Sequence, residues 1–295
     1  MYSFGVKKTF SASKFNSPFP SFIFLFLEVN MYKVFDAHCH IYPDKIAEKA
    51  SESIGRFYDM PMRYDGKVST LEKIGERAGV KKYLVQSVAT TPHQVRSINE
   101  FISSTVNSAP ERYVGFGTLH PDSPDIAGDL EHLKELGLHG VKLHPDVQGF
   151  KIDDYRCLKI YELCEKTDTP ILMHCGDRRF DNSNPNRLVP ILDIYTSLTV
   201  IGAHFGVWSV WNENVEKMAG HRNFYVDTSS SFYAISREKA REIIYIYGVD
   251  RVLFGTDYPM WDPEEEVKRL LDLGLSEDEN RKILYDNAYN LLCKK

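Results

Sequence analysis

A single (β/α)8 TIM barrel is the fold this sequence predicts, and three observations predict it. From Tyr32 onward, short apolar runs alternate with longer helical patterns, the mark of βα units and a parallel sheet. The runs number eight, and 295 residues exceed the usual barrel of about 250 by no more than an extension needs. No linker or shift in composition marks a second domain.

The runs are Lys33 to His40, Lys81 to Ala89, Arg112 to Leu119, Gly140 to His144, Pro170 to Cys175, Thr199 to Phe205, Asn223 to Ser229 and Arg251 to Tyr258. Between them lie helices with readable starts. Thr91-Pro92 and Asn184-Pro185 each set an N-cap before a first-turn proline, and Ser276-x-x-Glu279 is a capping box. Gly137 and Gly274 follow apolar pairs where helices should stop. The longest connection follows the first run: a helix over Pro43 to Gly55, then an aromatic loop, Phe57 to Tyr64, placed to act as a lid. Residues 1–30 do not match this pattern and read as an irregular extension, with the barrel over 31–295. The apolar segment from Phe22 to Val29 is too short to span a bilayer, and no small-residue cleavage site follows it.

Composition excludes some functions. A net charge of -5 with both signs interspersed leaves no footprint for nucleic acid or anionic lipid. Five cysteines, odd in number and without a C-x-x-C pair, fit a reducing, cytoplasmic setting. The expected partners are a small-molecule substrate and, in a homo-oligomer, further copies of the chain.

Polar placement carries the chemistry. In an extended strand, Asp36, His38 and His40 point one way, so one strand offers two imidazoles to one point, as a first-row divalent metal requires. Six of the ten histidines (His38, His40, His120, His144, His174, His204) fall at predicted strand ends, where chance would place about one and where barrel active sites lie. Alternation puts Lys142 with His144, aligns Gly202, His204 and Gly206, and turns Gly255 and Asp257 inward. The glycines on the sixth run are expected to leave room in the mouth. His93, His132, His139 and His221 fall on helices or their ends and read as solvated.

Asp36-Ala37-His38-Cys39-His40, Gly140-Val141-Lys142-Leu143-His144-Pro145, Ile171-Leu172-Met173-His174, Ile201-Gly202-Ala203-His204-Phe205-Gly206, Tyr225-Val226-Asp227-Thr228-Ser229 and Leu253-Phe254-Gly255-Thr256-Asp257-Tyr258-Pro259 together resemble the amidohydrolase superfamily. They are most similar to its amidohydrolase-related branch, which includes aminocarboxymuconate-semialdehyde decarboxylase. The resemblance runs from Met31 to Asn287-Ala288. It implies that His38, His40, His174 and Asp257 hold one divalent metal, with zinc first and manganese second in expectation, and that His204 orients the water beside it. Asp257 and His204 are then the catalytic pair. Such an ion lowers the pKa of bound water from 15.7 towards roughly 7, and Asp257 takes the proton.

Lys142 allows a carbamate bridging two metals or an ordinary ammonium that binds a substrate carboxylate; one metal and the ammonium are expected. His144 and His120 sit in echoing Leu-His-Pro-Asp segments and read as substrate contacts or packing groups of the mouth. Arg178 is a candidate fork for an anionic substrate, against a plain loop salt bridge of Arg178 or Arg179 with Asp177 or Asp181. Asp227 and Ser229 either bind substrate or brace the loops. Metal-dependent hydrolysis of a C–N or C–O bond is the leading expectation. Non-oxidative decarboxylation of an aromatic or unsaturated acid is the alternative, with Phe57, Tyr58 and Tyr64 as candidate aromatic walls. A barrel that binds without catalysis would have lost a ligand, and none is missing.

Overall fold

Strands form where the sequence places its apolar runs: β1 (Val34–His40), β2 (Val80–Gln86), β3 (Tyr113–Thr118), β4 (Gly140–Leu143), β5 (Ile171–Met173), β6 (Val200–Gly202), β7 (Phe224–Asp227) and β8 (Val252–Leu253). The structure, a computed structural model, describes residues 32–212 and 215–294, so the expected extension over 1–30 lies outside the described residues. Each strand pairs in parallel with the next. The ring returns from β8 to β1 through Ala37 N–H to Phe254 O and His40 N–H to Tyr258 O, both 2.8 Å. The result is a single-domain (β/α)8 barrel.

Helices cover the outer face and side chains fill the inside, so the strands are buried on both faces. Phe35, Leu84, Phe116, Leu172, Ile201 and Leu253 meet inside the barrel, where Ala288 and Leu292 of the last helix pack against them. The caps form as their sequences predict. Thr91 with Gln94 and Ser276 with Glu279 make capping boxes, and the Asn184 side chain accepts from Asn186 N–H. Gly137 and Gly274 take φ of 74° each, the left-handed turn that stops a helix. Among the described residues no helix is long and apolar enough to cross a membrane.

Three local readings change. The first helix runs over Ala47–Tyr58 and is stopped by Asp59 in the left-handed region, so Phe57 and Tyr58 are helical residues and not a loop. On β1 the register slips between Asp36 and Cys39, three steps on β1 against two on β2. That irregularity lets Phe35 and Ala37 fill the interior while His38 and His40 reach the mouth above it. Asp36 consequently leaves the face it was expected to share. Its carboxylate accepts from Thr256 N–H (2.9 Å) and Oγ1–H (2.6 Å), which ties β1 to the end of β8.

The third correction concerns β6. Ile201 and Ala203 face the interior, and a Cβ on Gly202 would lie 2.5 Å from the Phe224 ring. Gly202 therefore makes room for Phe224 under the helices and not for the mouth. His204 reaches the mouth another way: the ladder stops at Gly202, and His204 takes φ 59°. Asp257, at φ 60°, leaves the end of β8 by the same kind of turn.

Candidate metal centre

His38 is the best-anchored group in the mouth. It is fully buried, and its Nδ1 lies 2.8 Å from Asp227 Oδ2 and 3.0 Å from Ser229 Oγ. A carboxylate accepts only, so Nδ1 carries the proton and Nε2 presents a bare lone pair. Burial would raise the Asp227 carboxyl, but His38, His204 and Ser229 outweigh it and hold it down at about 2. An ionised carboxylate thus fixes the tautomer of a candidate ligand. Asp227, expected either to bind substrate or to brace the loops, instead holds His38, and its place at the end of β7 was the available signal.

Three acceptors converge in front of His38. Its Nε2 lies 3.2 Å from His40 Nε2 and 3.4 Å from Asp257 Oδ1, and His40 Nε2 is 3.6 Å from the same Asp257 oxygen. Burial opposes ionisation of Asp257, yet His38, His204, His40 and the Ser230 hydroxyl hold it well below the usual carboxylate range. Ser230 Oγ donates to Asp257 Oδ2 at 2.5 Å, so Oδ1 is left for the centre. Burial, reinforced by Lys142 and neighbouring imidazoles, pushes His40 far below its ordinary value. Neutral imidazoles and an ionised carboxylate are what a divalent cation binds.

The other expected residues lie around this trio. His204 Nδ1–H donates to Ser229 O (3.0 Å), with Ser229 Oγ 2.9 Å away, and its Nε2 meets His174 Nδ1 at 3.1 Å. His174 stands one imidazole further from the trio, grouped with His144 and Asp146. Its Nε2 is buried with no hydrogen-bond partner among the described residues, 3.8 Å from Asp146 Oδ2. The His144 ring stacks on it at 4.0 Å. Lys142 is buried with Nζ 3.2 Å from His38 Nε2, and burial lowers it to about 8. The converging acceptors fit one divalent ion at His38, His40 and Asp257, while His174, expected as a further ligand, is grouped instead with His144 and Asp146.

These groups form the floor of a cavity of about 470 Å³. Tyr58 closes one side, with its hydroxyl 2.6 Å from His144 Nε2. Gln148, which carried no signal in the sequence, pins the rim: its amide donates to Ala89 O and Leu119 O (both 2.9 Å) and accepts from His144 N–H (2.8 Å). Tyr64 is elsewhere, stacked on Tyr258 and bonded to Asp262. His120 does not line the cavity; its Nδ1 accepts from Asp122 N–H at 3.1 Å.

Arg178 is corrected as a substrate contact of this cavity. It is exposed and lines a neighbouring recess with Trp208, Trp211 and Tyr233. Arg179 forms the loop salt bridge, with Nη2 2.7 Å from Asp177 Oδ2 and its guanidinium over the rings of Phe57, Tyr58 and Trp208. Its neighbours, and not the chain position of the arginine pair, decide which guanidinium is engaged.

A barrel that gathers neutral imidazoles and carboxylates at the C-terminal ends of its strands is a metal-dependent barrel enzyme by architecture. Residues 35–293 match the sequence model of the Amidohydrolase family, and the chain belongs to that family. It is 25% identical to gamma-resorcylate decarboxylase from Polaromonas sp. strain JS666, covering 70% of this chain and 79% of that one. Among solved structures, 5-carboxyvanillate decarboxylase from Sphingomonas paucimobilis superposes with a TM-score of 0.70 at 19% identity, over 88% of this chain and 98% of the other. A dihydroxybenzoic acid decarboxylase from Polaromonas sp. JS666, solved with manganese and 2-nitroresorcinol, gives 0.69 at 18%, over 88% and 97%.

Proposed function

We propose that this protein is a metal-dependent decarboxylase that removes a carboxyl group, without oxidation, from an aromatic or unsaturated acid. The observation that carries this reading is the division of the cavity: charged and metal-binding groups occupy the floor, and the walls are apolar, among them Tyr58, Met62, Val88, Val147 and Met260. Such a shape seats a flat apolar body with its carboxylate down. The relative that decarboxylates gamma-resorcylate supports decarboxylation over hydrolysis of a C–N or C–O bond.

One first-row divalent ion, zinc or manganese, would supply the positive charge that anchors substrate oxygens and stabilises charge developing on the ring. The protein does the rest. Lys142 Nζ offers the carboxylate a buried ammonium beside His38. Asp227 keeps His38 in one tautomer and orientation. The bond between ring carbon and carboxyl carbon breaks, its electron pair stays on the ring carbon, and carbon dioxide leaves. A proton from water, relayed by Asp257 or His204, then goes to that carbon, and the hydroxide left behind returns to the solvent. The buried free cysteines Cys39, Cys157, Cys164 and Cys175 accord with a reducing cytoplasm.

The test is to load the purified protein with manganese or zinc and supply 2,6-dihydroxybenzoate and 5-carboxyvanillate in D2O. Carbon dioxide release with one deuterium at the vacated ring carbon is expected. Hydrolysis of amides or lactones in the absence of such release would overturn the proposal and restore the hydrolase reading.

A further inference from the structure

Away from the metal centre, the cavity continues between the helix Ala47–Tyr58 and the helix Val95–Ser108. Ile46, Ala50, Ile54 and Tyr58 line it at intervals of four residues, one stripe along the first helix. From Ala50 to Tyr58 that stripe extends about 12 Å. Ile98 and Phe101 face it from the second helix. Among the described residues no charged side chain lines this lobe, and its outer edge is polar but neutral, at Ser53, Gln94 and Ser97.

Ile54, Ile98 and Phe101 are only half-buried and Ile46 is 52% exposed, so the lobe leaves concave apolar surface in water. Such surface marks a binding site. A ring acid held at the metal centre would not cover it, since the whole cavity, about 470 Å³, is of the size that encloses a larger ligand.

We propose that this lobe receives a hydrocarbon tail of the substrate, so that the acid taken by this enzyme is alkylated. The proposal rests on the decarboxylase reading for the acid and on the lobe alone for the tail. The carboxylate goes to the floor beside Lys142, and the tail runs between the two helices until it meets the polar edge. No ion pair is available to the tail, so selectivity comes from length and apolar area.

Calorimetric titration of the manganese-loaded protein with 4-n-alkylbenzoates, from methyl to octyl, tests this without turnover. Affinity is expected to rise about fourfold per methylene, then level off once the tail reaches Ser53 and Ser97. Ala50→Phe, which fills the lobe, and Ile98→Asp, which charges it, should each cut the gain to below about 1.5-fold per methylene. Both positions are half-buried, and circular dichroism confirms that the variants fold. Flat or absent binding across the series in the wild type overturns the proposal, as does a gain that survives in both folded variants. A rising series with no carbon dioxide from any alkylated hydroxybenzoate would uphold the lobe and sink the decarboxylase reading. Carbon dioxide release with a flat series would do the reverse.

Discussion

The tetrapeptide Leu-His-Pro-Asp occurs twice, as Leu119 to Asp122 after β3 and as Leu143 to Asp146 after β4, and the two copies differ in what surrounds them. In the second copy, His144 stacks on His174 at 4.0 Å and meets the Tyr58 hydroxyl, while Asp146 accepts from Ser183 and is pushed up to about 6 by burial. In the first, His120 caps its own turn, and Asp122 reaches out to Arg156 at 2.5 Å. Local sequence and strand position are alike. The next strand decides: β5 ends in an imidazole that faces His144, whereas His120 lies off the cavity. A motif at a strand end becomes a site only through its neighbours around the ring.

Four measurements would sharpen or break this contrast. His38→Ala sets the scale: it removes a proposed ligand and leaves Asp227 without its imidazole partner, so metal content should vanish and activity fall at least about a thousandfold. Circular dichroism should still show a folded barrel, because the rim contributes little to stability. His144→Ala comes next, with a loss of roughly ten- to a hundredfold in kcat/KM and metal retained, as for a group that supports the site from beside the ligands. A loss no larger than that of His120→Ala would erase the distinction between the copies.

His120→Gln should act on stability alone, and through pH. Burial lowers His120 below its ordinary value, against the opposing pull of Asp122 and the Thr90 backbone. The folded state therefore prefers the neutral ring, and that contribution is intact above about 6.5 and lost as pH falls towards the depressed folded value. Wild type should melt earlier than the variant as pH drops from 7 to 5, with a difference growing by less than about 1.4 kcal/mol per pH unit. Equal acid sensitivity of the two proteins would contradict this. Asp122→Asn is the smallest effect, within about 0.5 kcal/mol in chemical denaturation, since both partners of its ion pair are solvated.

Much of this was legible in the sequence because it depends on period and placement. Eight apolar runs gave eight strands, the capping residues sit at their helix starts, and His38, His40 and Asp257 meet at one point. What alternation could not show arises where the backbone leaves the strand. The slip on β1 moves Asp36 out of line with His38, and positive φ at His204 and Asp257 aims side chains that a continued strand would place differently. Gly202 looked like space at the mouth, yet it answers to Phe224 on the other face, a contact between strands that no local pattern encodes. Arg178 and Arg179 were equivalent on paper. The salt bridge to Asp177 and the rings of Phe57 and Tyr58, from a helix far away in the chain, and of Trp208, after β6, separate them.

Gln148 fastens the segments after β2 and β3 to the first residue after β4 through a single amide. One side of the mouth is thereby a shared hinge pin: a lengthened loop after β2 or β3 would drag His144 with it and disturb His174 stacked beneath. The helix Ala47–Tyr58, which follows β1, takes no part in that amide and meets this rim through the Tyr58 hydroxyl at His144. Descent with change can therefore remodel what the enzyme accepts by rewriting that helix while the chemistry at the floor is inherited intact.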